Sequence, residues 1–250
     1  MSLLEQIAPS TAEASNGSKV RSEESVLEAL LDEPRLLSHL HALALEHALT
    51  ERCAESLRID PLLPPLVKEL IGSPNQDVSE LAAASLQAQL RHRQRMEKMR
   101  LSVEELPSEL IGAVSKLAGQ HGLVDADHQH WFHSATVPSR LSLFKLLVQT
   151  PEYPLKRRWD LRKAGVPLLF SALAVQSDSS FEEIAILMTN SQTAQLALTL
   201  FAINCSKKAA QCTLAALHGE HGMRVYQEIA SREADDIADL YKTQLARTRG

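Results

Sequence analysis

The chain has 250 residues, a formal charge of −5 and 4% aromatic residues, and its 41 Leu and 31 Ala stand against 12 Val and 9 Ile. Leu and Ala favour helix while β-rich chains draw on Val, Ile and aromatics, so the composition excludes sandwiches, barrels and parallel α/β sheets. Nine Gly residues leave little for phosphate-cradling loops, and the mild acidity gives no global attraction to nucleic acid or to an anionic membrane.

Residues 8–22 are small and polar without periodicity, and 1–22 is read as a disordered leader; no basic, apolar signal segment opens the chain. An N-terminal helical-repeat domain is expected over 23–121. Asp32-Glu-Pro34 and Asp60-Pro61 pair an N-cap residue with a Pro suited to a first helical turn. Leu66 to Ile71 reads as a short helix and Gly72 to Asp77 as a turn. Val78, Leu81, Ala82, Leu86 and Leu90 then recur on one helical face. A Pro/Asp turn followed by Val, then Ala and Leu four and eight residues on, resembles a HEAT-type repeat, with Ala82 where two helices cross. Ser102-Val-Glu-Glu105 has the spacing of a capping box.

His121 to Pro138 weakens the periodicity, so 122–138 is read as a connecting segment and 139–250 as a C-terminal helical domain. Gly165 and Gly219 are placed as helix stops. Ser180-Phe-Glu-Glu183 is a second capping box, and Phe181, Ile184, Ala185 and Met188 form a stripe. The charge-free run Ile184–Ser206 carries Asn190, Gln192, Gln195 and Asn204, too polar for a membrane span, and reads as two helices joined at Thr189–Thr193. Met223–Thr248 reads as one long amphipathic helix with Tyr226, Ile229, Ile237 and Tyr241 on its apolar side. The expected fold is all-α: stacked short antiparallel helix pairs of HEAT-like, solenoid-like build.

The stretch from Asp60 to about Gln120 resembles the alphaproteobacterial group catalogued as domain of unknown function 2336. The resemblance is carried by the HEAT-like helix, by Ala88-Gln89-Leu-Arg91 and by Met99-Arg-Leu-Ser-Val-Glu-Glu-Leu-Pro107-Ser-Glu-Leu110; Ser180-Phe-Glu-Glu-Ile-Ala185 resembles the group's second half. About half the chain is covered, and the first 60 residues do not follow the pattern. The resemblance implies an all-helical bacterial, cytoplasmic protein with no assigned activity, and it transfers no catalytic residue.

Several groups invite a chemical reading. Asp127, His130 and His133 share part of a helical face and have metal-ligand chemistry, yet HExxH spacing is absent and a polar helix start explains them as well. His39, His41 and His47 suggest a phosphoacceptor, without a diagnostic flank; ordinary surface histidines are the simpler reading. The three cysteines, Cys53, Cys205 and Cys212, show no CxxC spacing and read as reduced buried thiols in a cytosolic chain.

Residues 91–100 and 156–163 each hold five basic residues and one acidic residue. Together they offer a positive face, with Trp159 as a stacking surface for nucleic acid. Charge pairing with the acidic segment 220–239, or a solvated surface, competes with that reading. No GxSxG, P-loop, GxGxxG or kinase signature is present.

The sequence therefore favours a non-catalytic helical-repeat module for protein–protein interaction, a bacterial regulatory or signalling adaptor without cofactor or membrane span. The expected partner face is Arg91, Arg93, Arg95, Arg157, Arg158 and Trp159, the last an aromatic anchor, with Tyr226 and Tyr241 as a second face suited to self-association. The alternatives are a nucleic-acid-binding regulator and a His-based metal or phosphotransfer enzyme.

Overall fold

A computed structural model describes residues 32–98, 103–120, 138–154, 157–232, 236–237 and 239–243. Among these residues the fold is all-α, without strands. In chain order the helices are α1 (Pro34–Leu57), α2 (Pro65–Ile71), α3 (Gln76–Met96), α4 (Ser108–Gln120), α5 (Arg140–Gln149), α6 (Leu161–Ser177), α7 (Phe181–Leu187), α8 (Thr193–Ala202) and α9 (Lys207–Ala230). Short 3-10 turns lie at Val103–Glu105 and Asn190–Gln192. The leader 1–22, almost all of the connecting segment 122–138, and Ser102 of the first capping box lie outside the described residues.

The chain divides into two compact units, one formed by Met1–His41 with Gln87–Leu143, the other by Ala42–Leu86 with Phe144–Gly250. Each therefore draws on two separated stretches, unlike the sequential domains 23–121 and 139–250 expected from the sequence. The physical reason lies in α1 and α3. At 24 and 21 residues they run about 36 and 32 Å, long enough for each helix to contribute to both units.

In the second unit, α2, α6, α7, α8 and α9 surround a large apolar cluster that includes Leu66, Leu70, Leu169, Leu173, Leu196 and Leu214. Ala82, Ala185 and Ala197 are all buried at 1% exposure or less. Asp60 does not start a helix: its carboxylate accepts the amides of Leu62 and Leu63 at 2.8 and 3.1 Å, forming a turn, and α2 begins with Pro65 at its first position. Gly165 interrupts α6 with φ 71°, and a Cβ there would meet Pro64 at 2.7 Å, so both conformation and packing require Gly.

Gly219 breaks α9 with φ 56° and ψ −136°, and beyond it Gly222 lies so close to the Leu214 carbonyl that any side chain would collide with it. The helix expected over Met223–Thr248 is thus different in fact. α9 starts at Lys207, bends at Gly219 and ends at Ala230, where Ser231 caps it, and residues 236–237 and 239–243 are helical again. Ile237, Leu240 and Tyr241 pack this last stretch on the apolar cluster.

In the first unit the buried face of α3 is Ala88, Gln89 and His92, while Leu90 is 41% exposed. The apolar stripe expected through Leu86 and Leu90 thus gives way to a face that turns polar. Glu105 is 5% exposed and accepts from the Arg140 guanidinium at 3.1 Å, with His92 Nδ1 3.6 Å away. Arg140 also donates to Gln89 at 3.0 Å, and the His39 ring donates to the Glu105 backbone carbonyl at 2.8 Å. His39 is therefore a buried structural residue, not a surface one.

Candidate functional site

Within the second unit a cleft of about 200 Å³ opens between the C-terminal end of α6, α7, α8 and Tyr241. Local sequence explains how its walls are set. Ser180 accepts the Glu183 amide at 3.1 Å and the Glu183 carboxylate accepts the Ser180 amide at 2.7 Å, the reciprocal capping box read from the sequence. Asp178 ends α6 in the left-handed region, φ 51°, which turns the chain into α7. α7 is one short helix because Met188 caps it, and the Asn190–Gln192 turn redirects the chain into α8.

The apolar part of the wall is Ile184, Ile186, Leu187 and Tyr241. Ile184 is buried, whereas Ile186 is 51% exposed and lies at the edge of this concavity. The polar part is Ser177, Ser179, Glu183, Gln192, Gln195 and Thr199. The hydroxyls are committed to the fold: Ser177 donates to the Leu173 carbonyl at 2.7 Å and Thr199 to the Gln195 carbonyl at 2.9 Å. By contrast, the Gln192 and Gln195 side-chain amides stand half-buried at the cleft without a hydrogen-bond partner among the described residues. An amide both donates and accepts, so this pair can bond the N–H and C=O groups of a peptide backbone.

Next to this cleft, His218 on α9 bonds Asn190 through Nδ1 at 2.9 Å, which ties α9 to the turn preceding Gln192. Its Nε2 is buried without a hydrogen-bond partner among the described residues. Burial, with the Arg52 and His221 charges beside it, pushes the imidazole down to about 4, so it is neutral near pH 7. Arg52 donates to the Leu217 carbonyl at 2.8 Å, two residues before the break at Gly219.

The residues expected to bind a partner fare unequally. Arg91 is exposed, but Arg93 pairs with Glu97 at 3.3 Å and Arg95 with Glu104 at 3.4 Å. Arg157 pairs with Glu69 at 2.7 Å. These partners are Glu97, Glu104 and Glu69. The two basic clusters fall in different units.

Trp159 overturns its expected role as an exposed anchor. It is 3% exposed, its backbone carbonyl accepts from Thr213 at 3.1 Å, and the Arg158 guanidinium covers its ring at 4.8 Å. A large aromatic between Arg158 and an apolar helix start is drawn into the core, and the cation above it is a lid on that core. Tyr226 stacks on Phe201 at 5.7 Å and packs against the apolar cluster. Tyr241 alone of the expected residues lines the cleft.

Cys53 and Cys205 are buried and Cys212 half-buried, and all are free thiols. Burial pushes the Cys205 thiol up to about 12 and raises that of Cys53 as well, so neither is an activated thiolate. Among the described residues no three His, Cys, Asp or Glu side chains converge as metal ligands would; Asp127, His130 and His133 lie outside them. No helix among the described residues is long and apolar enough to cross a membrane.

Comparison with family models, with curated proteins and with solved structures finds no match for this chain.

Proposed function

We propose that the chain is a non-catalytic helical interaction module, HEAT-like in build, that holds a short segment of another protein in the cleft of α7, α8 and Tyr241. The observation that carries this reading is an exposed Ile186 beside two side-chain amides that have no hydrogen-bond partner among the described residues. Size supports a peptide over a metabolite. Small-molecule sites span roughly 300–1,000 Å³, whereas about 200 Å³ suits one apolar side chain and its backbone. The lining also offers no His, Cys or Lys, and its Ser177 and Thr199 hydroxyls donate to backbone carbonyls of their own helices. The resemblance to the uncharacterised alphaproteobacterial group suggests a bacterial regulatory setting.

The test is selection of a displayed random heptapeptide library on the full chain. Binders are expected to lose about tenfold in affinity on Ile186→Gln, the effect of removing one apolar anchor. A further loss is expected on Gln195→Ala. An unenriched library, or binders indifferent to Ile186→Gln, contradicts the reading.

A further inference from the structure

We infer that the occupant of the cleft is a cationic segment carrying one apolar anchor, an inference that rests on the cleft being a docking site. From Val166 to Ile203 the chain has three carboxylates, Asp178, Glu182 and Glu183, and no Lys, Arg or His. This stretch supplies every lining residue except Tyr241. The helical stretch that bears Tyr241 adds the exposed Asp236 and Asp239, and its Lys242 is taken by Asp239 at 3.4 Å. Glu183 lines the cleft itself. One of its oxygens accepts the Ser180 amide, which leaves the other for a guanidinium or an ammonium.

The apolar and the charged components are both needed. Ile186 and Tyr241 provide a contact that excludes water, and charges at its border act on a partner within about 8–10 Å before screening removes them. An acidic partner would bring its own carboxylates against Glu183, Asp178 and Asp236, and the one cation on the described lining segments, Lys242, is paired with Asp239. The cleft volume of about 200 Å³ restricts the apolar part to one side chain.

The same heptapeptide selection separates this inference from the reading beneath it. Selected peptides are expected to carry a net charge of about +2 or more around a single Leu, Ile, Met or Phe. The Asp178→Asn/Glu183→Gln/Asp236→Asn variant is expected to weaken them roughly tenfold, with a steeper loss as salt is raised. This variant keeps its local structure: Asn tolerates the left-handed φ of position 178, and Gln preserves a capping box. Neutral or acidic peptides that are still lost on Ile186→Gln overturn the cationic inference and leave the docking site standing. Cationic peptides indifferent to both variants overturn site and inference together. Sedimentation velocity supplies one more decisive outcome: a concentration-dependent dimer broken by Ile186→Gln would assign the cleft to a second copy of the chain and overturn the inference.

Discussion

In the first unit the buried side chains include Arg140, Glu105, Gln89, His92 and His39 alongside Leu36, Leu106, Leu110 and Val114. In the second unit most buried polar residues are hydroxyls, and most of these bond close to home, Thr213 with its bond to the Trp159 carbonyl being the exception. Thr50, Ser85, Ser171 and Thr199 all donate to the carbonyl four residues earlier in their own helix. The first unit holds itself together with directional charge pairing between distant positions; the second relies on apolar area and local hydrogen bonds. A buried ion pair contributes little net stability but is costly to break, whereas an apolar core accumulates stability with each buried methylene.

The contrast can be broken by substitution. Arg140→Leu is expected to have the largest effect, about 3–5 kcal/mol in urea denaturation, because it leaves the Glu105 carboxylate buried without its guanidinium. Adding Glu105→Leu should restore at least half of that loss; additive losses would show that the pair acts only through packing. In the second unit Leu173→Ala should cost about 2–5 kcal/mol, and no second substitution nearby should recover it.

A smaller effect separates backbone from packing in α9. Gly219→Ala should cost about 1–3 kcal/mol through conformation alone, since a Cβ at that position meets nothing. Gly222→Ala should exceed it, because its Cβ meets the Leu214 carbonyl. A reversed order would mean that the bend is not set by these two glycines.

The smallest effect is one of pH. His218 is held down to about 4 in the folded chain against an ordinary 6.5. The unfolded chain therefore takes up a proton first as pH falls. The contribution of His218 is complete above about pH 6.5 and is lost progressively down to about pH 4. His218→Gln should flatten the stability profile across that window, and an unchanged slope would assign it to other groups.

Features encoded by near neighbours were legible in the sequence. The Ser180–Glu183 capping box, the Gly72 turn, the break at Gly219 and the two helices within Ile184–Ser206 all depend on residues within one or two turns of each other. Features that depend on distant partners were not. Arg140 and Glu105 are ordinary residues 35 positions apart, and only folding pairs them in the core. Trp159 reads as a binding anchor beside Arg157 and Arg158 because nothing local reveals that the apolar cluster takes its ring. Leu90 obeys the helical period and is nonetheless exposed, because α3 turns its polar Gln89 and His92 face inward there. The cleft assembles from four segments, and in the sequence Gln192 and Gln195 argue only against a membrane span.

The most direct test of the docking site is hydrogen–deuterium exchange of the full chain with and without a selected heptapeptide. Slowed exchange is expected in Phe181–Leu187, in Thr193–Ala202 and around Tyr241, with Ser108–Gln120 unchanged. Protection of Ser108–Gln120 with α7 and α8 unaltered would contradict the account.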